Sequence, residues 1–106
     1  MRETRIYIGL NDKDTLHQKF ETARYISILQ QVCRSYHAAF SFQLAEGGYF
    51  HENGEYTQEK TLVLSLMDTD PALADEIAKD LCVFFNQESV LVTESAAEVR
   101  YISEKL

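Results

Sequence analysis

Proline occurs once in these 106 residues, glycine four times, cysteine twice and tryptophan not at all. So little glycine, proline and cysteine excludes collagen-like repeats and disulfide scaffolds. Basic side chains are also scarce: 10 Lys and Arg against 17 Asp and Glu leave a net charge of −7. That sign argues against generic binding to nucleic acid or to anionic membranes. No apolar run approaches the ~20 residues that span a bilayer, and no apolar h-region of a secretory signal follows residues 1–5. The expectation is a cytoplasmic protein whose Cys33 and Cys82 are free thiols. Sequence motifs of familiar chemistry are missing too. There is no His-x-x-x-His, Cys-x-x-Cys, nucleophile elbow, P-loop or dinucleotide fingerprint, so neither a metal nor a cofactor is expected.

The chain does contain an ordinary globular mixture, 45% apolar and 25% charged, of a length suited to a single domain over residues 1–106. Residues 5–10 have the β-branched and aromatic content of a strand, closed by Asn11 and Asp12. From about Asp14 to Tyr36 no Gly or Pro interrupts a helical pattern, and Asp12 or Asp14 can cap it. Phe40, Phe42 and Leu44 alternate with Ser41 and Gln43, the period of a half-buried strand. Asn53-Gly54 predicts a two-residue hairpin turn, returning through residues 60–67 with Leu62, Leu64 and Leu66 on one face. Asp70 and Pro71 are a cap and a first helical residue. The helix that follows carries Leu73, Ile77, Leu81, Phe84 and Phe85 on one stripe and ends near Asn86. Strands are predicted at residues 89–93 and again at residues 99–102.

Strand, helix, hairpin, helix and strand in this order predict an α+β fold, the split βαβ arrangement with both helices on one face of an antiparallel sheet, plus a carboxyl-terminal strand. A plain two-residue turn at Asn53-Gly54 would place Leu44 opposite Val63 and turn the leucines of the return strand away from Phe40, Phe42 and Leu44. Burial requires instead that Leu44, Phe42 and Phe40 face Leu62, Leu64 and Leu66. A bulge at Gly47-Gly48 would supply the extra residue.

A helix running from Asp14 to Tyr36 would have two apolar faces. Leu16, Phe20 and Ala23 share one side, while Tyr25, Ile28, Leu29, Val32 and Tyr36 share nearly the opposite one. Either the helix breaks near residues 22–24 and each half packs inward, or it is continuous and one face meets a second subunit. The second alternative makes Tyr25, Leu29, Val32 and Tyr36 an interface of a homo-oligomer, most simply a two-fold dimer.

Among the histidines, His37 follows a helix terminus, where a cationic ring suits the dipole. His51 sits near Glu46, Glu52, Glu55 and Tyr56 around the hairpin, where a carboxylate-paired imidazole could act as an acid or base. The competing reading is a solvated loop end. Tyr7, Tyr49, Tyr56 and Tyr101 fall in predicted strands and could line a cleft.

Glu46-Gly47-Gly48-Tyr49, Asn53-Gly54, residues 61–66, Asp68-Thr69-Asp70-Pro71, Asn86-Gln87-Glu88-Ser89-Val90-Leu91-Val92 and Glu98-Val99-Arg100-Tyr101 together resemble a bacterial family, the domain-of-unknown-function family three-five-seven-four. The resemblance covers roughly residues 40–102 and implies a ferredoxin-like domain without an established activity. Function does not follow from fold, and two classes remain. One is a non-catalytic oligomeric module that binds a small molecule or a protein partner through Gly47, Gly48, Tyr49, His51 and Tyr56. The other is a small dimeric enzyme acting on an apolar small molecule, which a buried polar pocket holding His51 or His37 beside a tyrosine would favour. An acidic inhibitor of a basic protein surface is a third reading compatible with the charge.

Overall fold

A computed structural model describes residues 1–104. Its elements are β1 (Arg2–Gly9), α1 (Thr22–Ser35), β2 (Phe40–Phe50), β3 (Tyr56–Met67), α2 (Pro71–Phe84) and β4 (Leu91–Ala96). The strands form one antiparallel sheet in the order β2-β3-β1-β4. This is the ferredoxin-like split βαβ topology. Ile6, Ile8, Leu62, Leu64 and Leu66 from the sheet meet Tyr25, Leu29, Val32 and Cys33 of α1 and Ala74, Ile77, Ala78 and Leu81 of α2 in one core.

The leucine register is the one burial demands, with Phe40 opposite Leu66, Phe42 opposite Leu64 and Leu44 opposite Leu62. Its cause is different from the one expected. Pairing continues without a bulge through Gly47↔Glu59 and Gly48↔Gln58 to Phe50↔Tyr56. The extra residue lies in the turn itself. His51 N–H donates to Glu55 O at 2.8 Å and Gly54 N–H to His51 O at 2.9 Å, leaving a three-residue loop that Gly54 closes at φ +88°. A turn followed by a left-handed glycine is the three-residue alternative to the two-residue hairpin.

The first helix starts at Thr22, at the expected break, and the segment before it is not helical. Asp12 does cap, with Oδ2 accepting from Asp14 N–H and Thr15 N–H at 2.9 and 3.0 Å. The turn it caps stops at Leu16, whose φ is +63°, and the chain doubles back into an Asn11↔Gln18 bridge. Leu16 and Phe20, expected on the sheet, are therefore 66% and 43% exposed. The opposite ladder packs inward. Tyr25, Leu29 and Val32 are buried in the core of their own chain, and Tyr36 is half-buried with its hydroxyl donating to Asp80 Oδ2 at 2.6 Å. The interface expected at Tyr25, Leu29, Val32 and Tyr36 is corrected on this ground. Without a helical first half, only one face remains to be buried, and it belongs to the sheet.

Asp70 and Pro71 begin α2 as expected, with Asp70 Oδ1 accepting from Ala72 N–H at 2.8 Å. Ile77 and Leu81 are fully buried, but Phe84 is 59% exposed and Phe85 takes the inward position, its ring edge-on to Tyr25 with centroids 5.0 Å apart. Both helices close with the same left-handed residue after the last turn, His37 (φ +56°) and Asn86 (φ +49°). The following amides, of Ala38 and Gln87, reach back to Cys33 O and Cys82 O, which is the Schellman arrangement. The strand expected at residues 99–102 is absent: residues 97–104 have no regular structure, and Tyr101 and Ile102 are exposed. Among the described residues no helix is long and apolar enough to cross a membrane.

Candidate functional site

β1 pairs with β3 only as far as Gly9↔Thr61, whereas β2 and β3 continue together to Phe50↔Tyr56. The hairpin thus projects as a two-stranded arm past the end of the four-stranded sheet. Strand alternation puts Tyr49, Thr57 and Glu59 on the arm's face away from the helices. Two loops approach its base: residues 11–16 after β1, and residues 87–89 between α2 and β4. These three segments enclose a cleft of about 300 Å³ lined by Asn11, Asp12, Lys13, Leu16, Tyr49, His51, Thr57, Glu59, Gln87, Glu88 and Ser89.

A hydrogen-bond chain holds the cleft together. Gln87 Nε2 donates to Asn11 O at 2.7 Å, and Asn11 N–H donates to Glu59 Oε2 at 3.0 Å. Glu59 lies across Gly9, where any Cβ would collide with its carboxylate. The His51 Nε2–Thr57 Oγ1 pair is 2.7 Å apart, and the His51 ring stands edge-on to Tyr49 with centroids 5.0 Å apart. Asn86 Nδ2, together with the Thr15 and Asp14 amides, holds the Asp12 carboxyl below the usual carboxylate range, against the opposing effect of burial. The lining contains three acidic residues, Asp12, Glu59 and Glu88, against one lysine, Lys13.

Of the residues singled out from sequence, Tyr49 and His51 meet in this cleft. Tyr56 does not line it; with His51, Thr57 and Leu16 it borders an adjoining cleft of about 460 Å³. Its ring also lies over Gly48, in contact with the space a Cβ would need, and is 5.1 Å from Phe50. Gly47 borders open space. Tyr7 lies on the outer sheet face opposite Val63, and Tyr101 is 88% exposed on the carboxyl-terminal segment, so neither lines the cleft. Most of its lining side chains are polar, with Leu16 the aliphatic exception.

Asn11, Asp12, Lys13, Glu59, Gln87, Glu88 and Ser89 carry no sequence signal that marks them as site residues. Asp12 has the signature of a cap, and Gln87-Glu88-Ser89 stands out only within the family resemblance. Among the described residues no group of three or more His, Cys, Asp and Glu is arranged to hold a metal ion. Burial pushes the Cys33 thiol up to about 11, which makes it a poor nucleophile.

No protein-family model and no curated protein sequence matches this chain. Solved structures do share its fold. A phage SAM lyase in complex with S-methyl-5'-thioadenosine superposes with a TM-score of 0.68 at 20% identity, over 89% of this chain and 79% of the lyase. A DUF3240 family protein from Shewanella baltica gives 0.57 at 9% identity, over 96% of this chain and 97% of that one. The GlnK–ATP complex of B. subtilis gives 0.53 at 13% identity, over 89% and 82%. At such identities the likeness is one of fold. The bacterial ferredoxin-like architecture implied by the sequence resemblance is present, while membership of that particular family has no matching model behind it.

Proposed function

We propose that this protein is a small-molecule-binding module whose ligand is a nucleoside-like compound held in the cleft at the base of the arm. The observation that carries this reading is the convergence there of an aromatic pair, Tyr49 and His51, with the carboxylates of Glu59 and Glu88. A planar base can stack on the rings, and sugar hydroxyls can donate to carboxylates. Two proteins of the same fold carry adenosine-bearing ligands, S-methyl-5'-thioadenosine and ATP, which supports the ligand class. The excess of carboxylates over Lys13 favours an uncharged or cationic adenosine derivative over a triphosphate, since like charges brought together in a cleft repel.

Titration calorimetry with S-methyl-5'-thioadenosine, S-adenosylmethionine and ATP tests the reading. Saturable binding of the first two is expected, with ATP weaker and with Tyr49→Ala lowering affinity about tenfold. Binding of none of the three overturns it. A second reading, an enzyme acting on the same class of molecule, is favoured by His51 standing beside Tyr49 in a polar cleft and by the lyase of similar fold. Chromatography of S-adenosylmethionine after incubation separates the two: intact substrate supports the module, and its conversion supports the enzyme.

Self-association belongs to the same proposal, with the dimer as its simplest form. It is supported by the arm, where Phe50 and Tyr56 remain 73% and 56% exposed. A mass by light scattering above that of one 12.2 kDa chain is expected, reverting to one chain in the double variant Phe50→Ser, Tyr56→Ser. A monomeric wild type at high micromolar concentration ends this part of the proposal.

A further inference from the structure

Asn86 ends α2 in a left-handed conformation, φ +49°, where glycine is the usual residue. At the end of α1 the same backbone bonds form around His37, so the capping geometry does not require an amide side chain. At Asn86 the amide makes two further bonds. Nδ2 donates to Asp12 Oδ1 at 2.7 Å and to Asp14 Oδ2 at 2.8 Å. The main chain adds a third link, Lys13 N–H donating to Asn86 O at 3.0 Å. A single residue therefore holds two carboxylates of like charge close together and ties the segment that carries Asp12, Lys13 and Leu16 to the end of a core helix.

We propose that Asn86 is a positioning residue, a latch that fixes the 11–15 segment as one wall of the cleft. The inference rests on the ligand-binding reading of that cleft. Asn11 is held by Glu59, Gln87 and Gln18, but beyond the buried Asp12 the side chains of Lys13, Asp14, Thr15 and Leu16 are exposed, so Asn86 is the link from the core helix to this stretch. Without the amide, Asp12 and Asp14 lose their shared donor and repel one another. The wall then opens, and Lys13 and Leu16 leave the positions that complete the lining. The two bonds are charge-assisted, hence stronger than neutral ones. This role accounts for the asparagine that opens the Asn86-Gln87-Glu88-Ser89 run, with Gln87 adding its bond to Asn11 O.

The test uses Asn86→Gly, which preserves the left-handed backbone and removes the amide, and Asn86→Asp, which tolerates that backbone and adds a third carboxylate. Hydrogen exchange of the Asp14 and Thr15 amides, both bonded to Asp12 Oδ2, reports the wall without any ligand. Asn86→Gly should speed their exchange about tenfold, and Asn86→Asp more. Affinity for S-methyl-5'-thioadenosine should fall in the same order. Exchange at the wild-type rate in both variants overturns the latch. So does accelerated exchange with unchanged affinity, which would make Asn86 a structural cap only. Should Asn86→Asp fail to fold, Asp14→Ala removes one acceptor from an exposed residue and must give an intermediate acceleration. If the wild type binds none of the adenosine compounds, the ligand reading fails on its own, while the exchange rates still decide whether the latch exists.

Discussion

The four-stranded body and the two-stranded arm share β2 and β3, yet they are stabilised by different means. In the body, Leu62, Leu64 and Leu66 of β3 are fully buried between β1, β2 and the helices. Over residues 56–60 the same strand has only β2 beside it, and the aromatics of this stretch, Tyr49 and Phe50 of β2 and Tyr56 of β3, lie about half or more in solvent. There the structure depends on local devices: Gly54 to close the turn, Gly48 to admit the Tyr56 ring, and Glu59 lying over Gly9. A two-stranded ribbon is marginal in water without such support. The difference teaches where the functional surface belongs. A rigid body carries side chains whose positions are dictated by packing, and the arm carries polar and aromatic groups free to meet a ligand or a second chain.

The contrast predicts a graded response to substitution. Leu64→Ala or Leu81→Ala, both at fully buried positions, should cost about 2–5 kcal/mol in a denaturant titration. A loss under about 1 kcal/mol would mean that these positions are not the core. Gly54→Ala comes next. Its Cβ would meet nothing, so the cost is that of the left-handed backbone at φ +88°, about 1 kcal/mol. A neutral result would show that the arm's turn can relax independently of the body.

The junction between the two regions has a pH signature. Asp12 titrates below its ordinary 3.8 chiefly because of the Asn86 amide, then the Thr15 and Asp14 N–H groups. A depressed carboxyl stabilises the fold above its unfolded value and loses that contribution as pH falls through the folded value. Melting temperatures should therefore be insensitive to this group from pH 7 to about 5 and drop below about pH 4. Asn86→Gly should start lower and fall less steeply. Equal slopes in the two proteins would break the assignment. The smallest effect on a single chain is expected at the arm's tip, where Phe50 is 73% exposed and Phe50→Ala should stay within about 0.5 kcal/mol in dilute protein. At concentrations where chains associate through the arm, the loss should grow with protein concentration, and a loss independent of concentration would break the contact proposed there.

Much of the body was legible in the residues alone. Period-two leucines and phenylalanines in β2 and β3 require the register observed, because a slip of one residue exchanges the buried and exposed faces. Asp70 and Pro71 mark the start of α2 by chemistry confined to the first turn. The outward reading of α1 failed because Asp12 and Leu16 each carry a local signal compatible with a helix. The competing choice, a turn that stops at Leu16 and is tied to Asn86, joins residues 72 and 74 positions apart in sequence. Phe84 and Phe85 show the same limit on a smaller scale: either fits the apolar stripe, and Phe85 is the one that enters the core, against Tyr25. The cleft was less legible still, since Tyr49 and His51 could be noticed on the hairpin while Glu59, Asp12 and Gln87 have meaning only beside them. Sequence determines elements through periodicity and capping, which act over a few residues. The wall of the cleft, the inward face of α1 and the reach of the arm were decided by tertiary structure, because each depends on which distant segment offers the partner for a polar group or an apolar face.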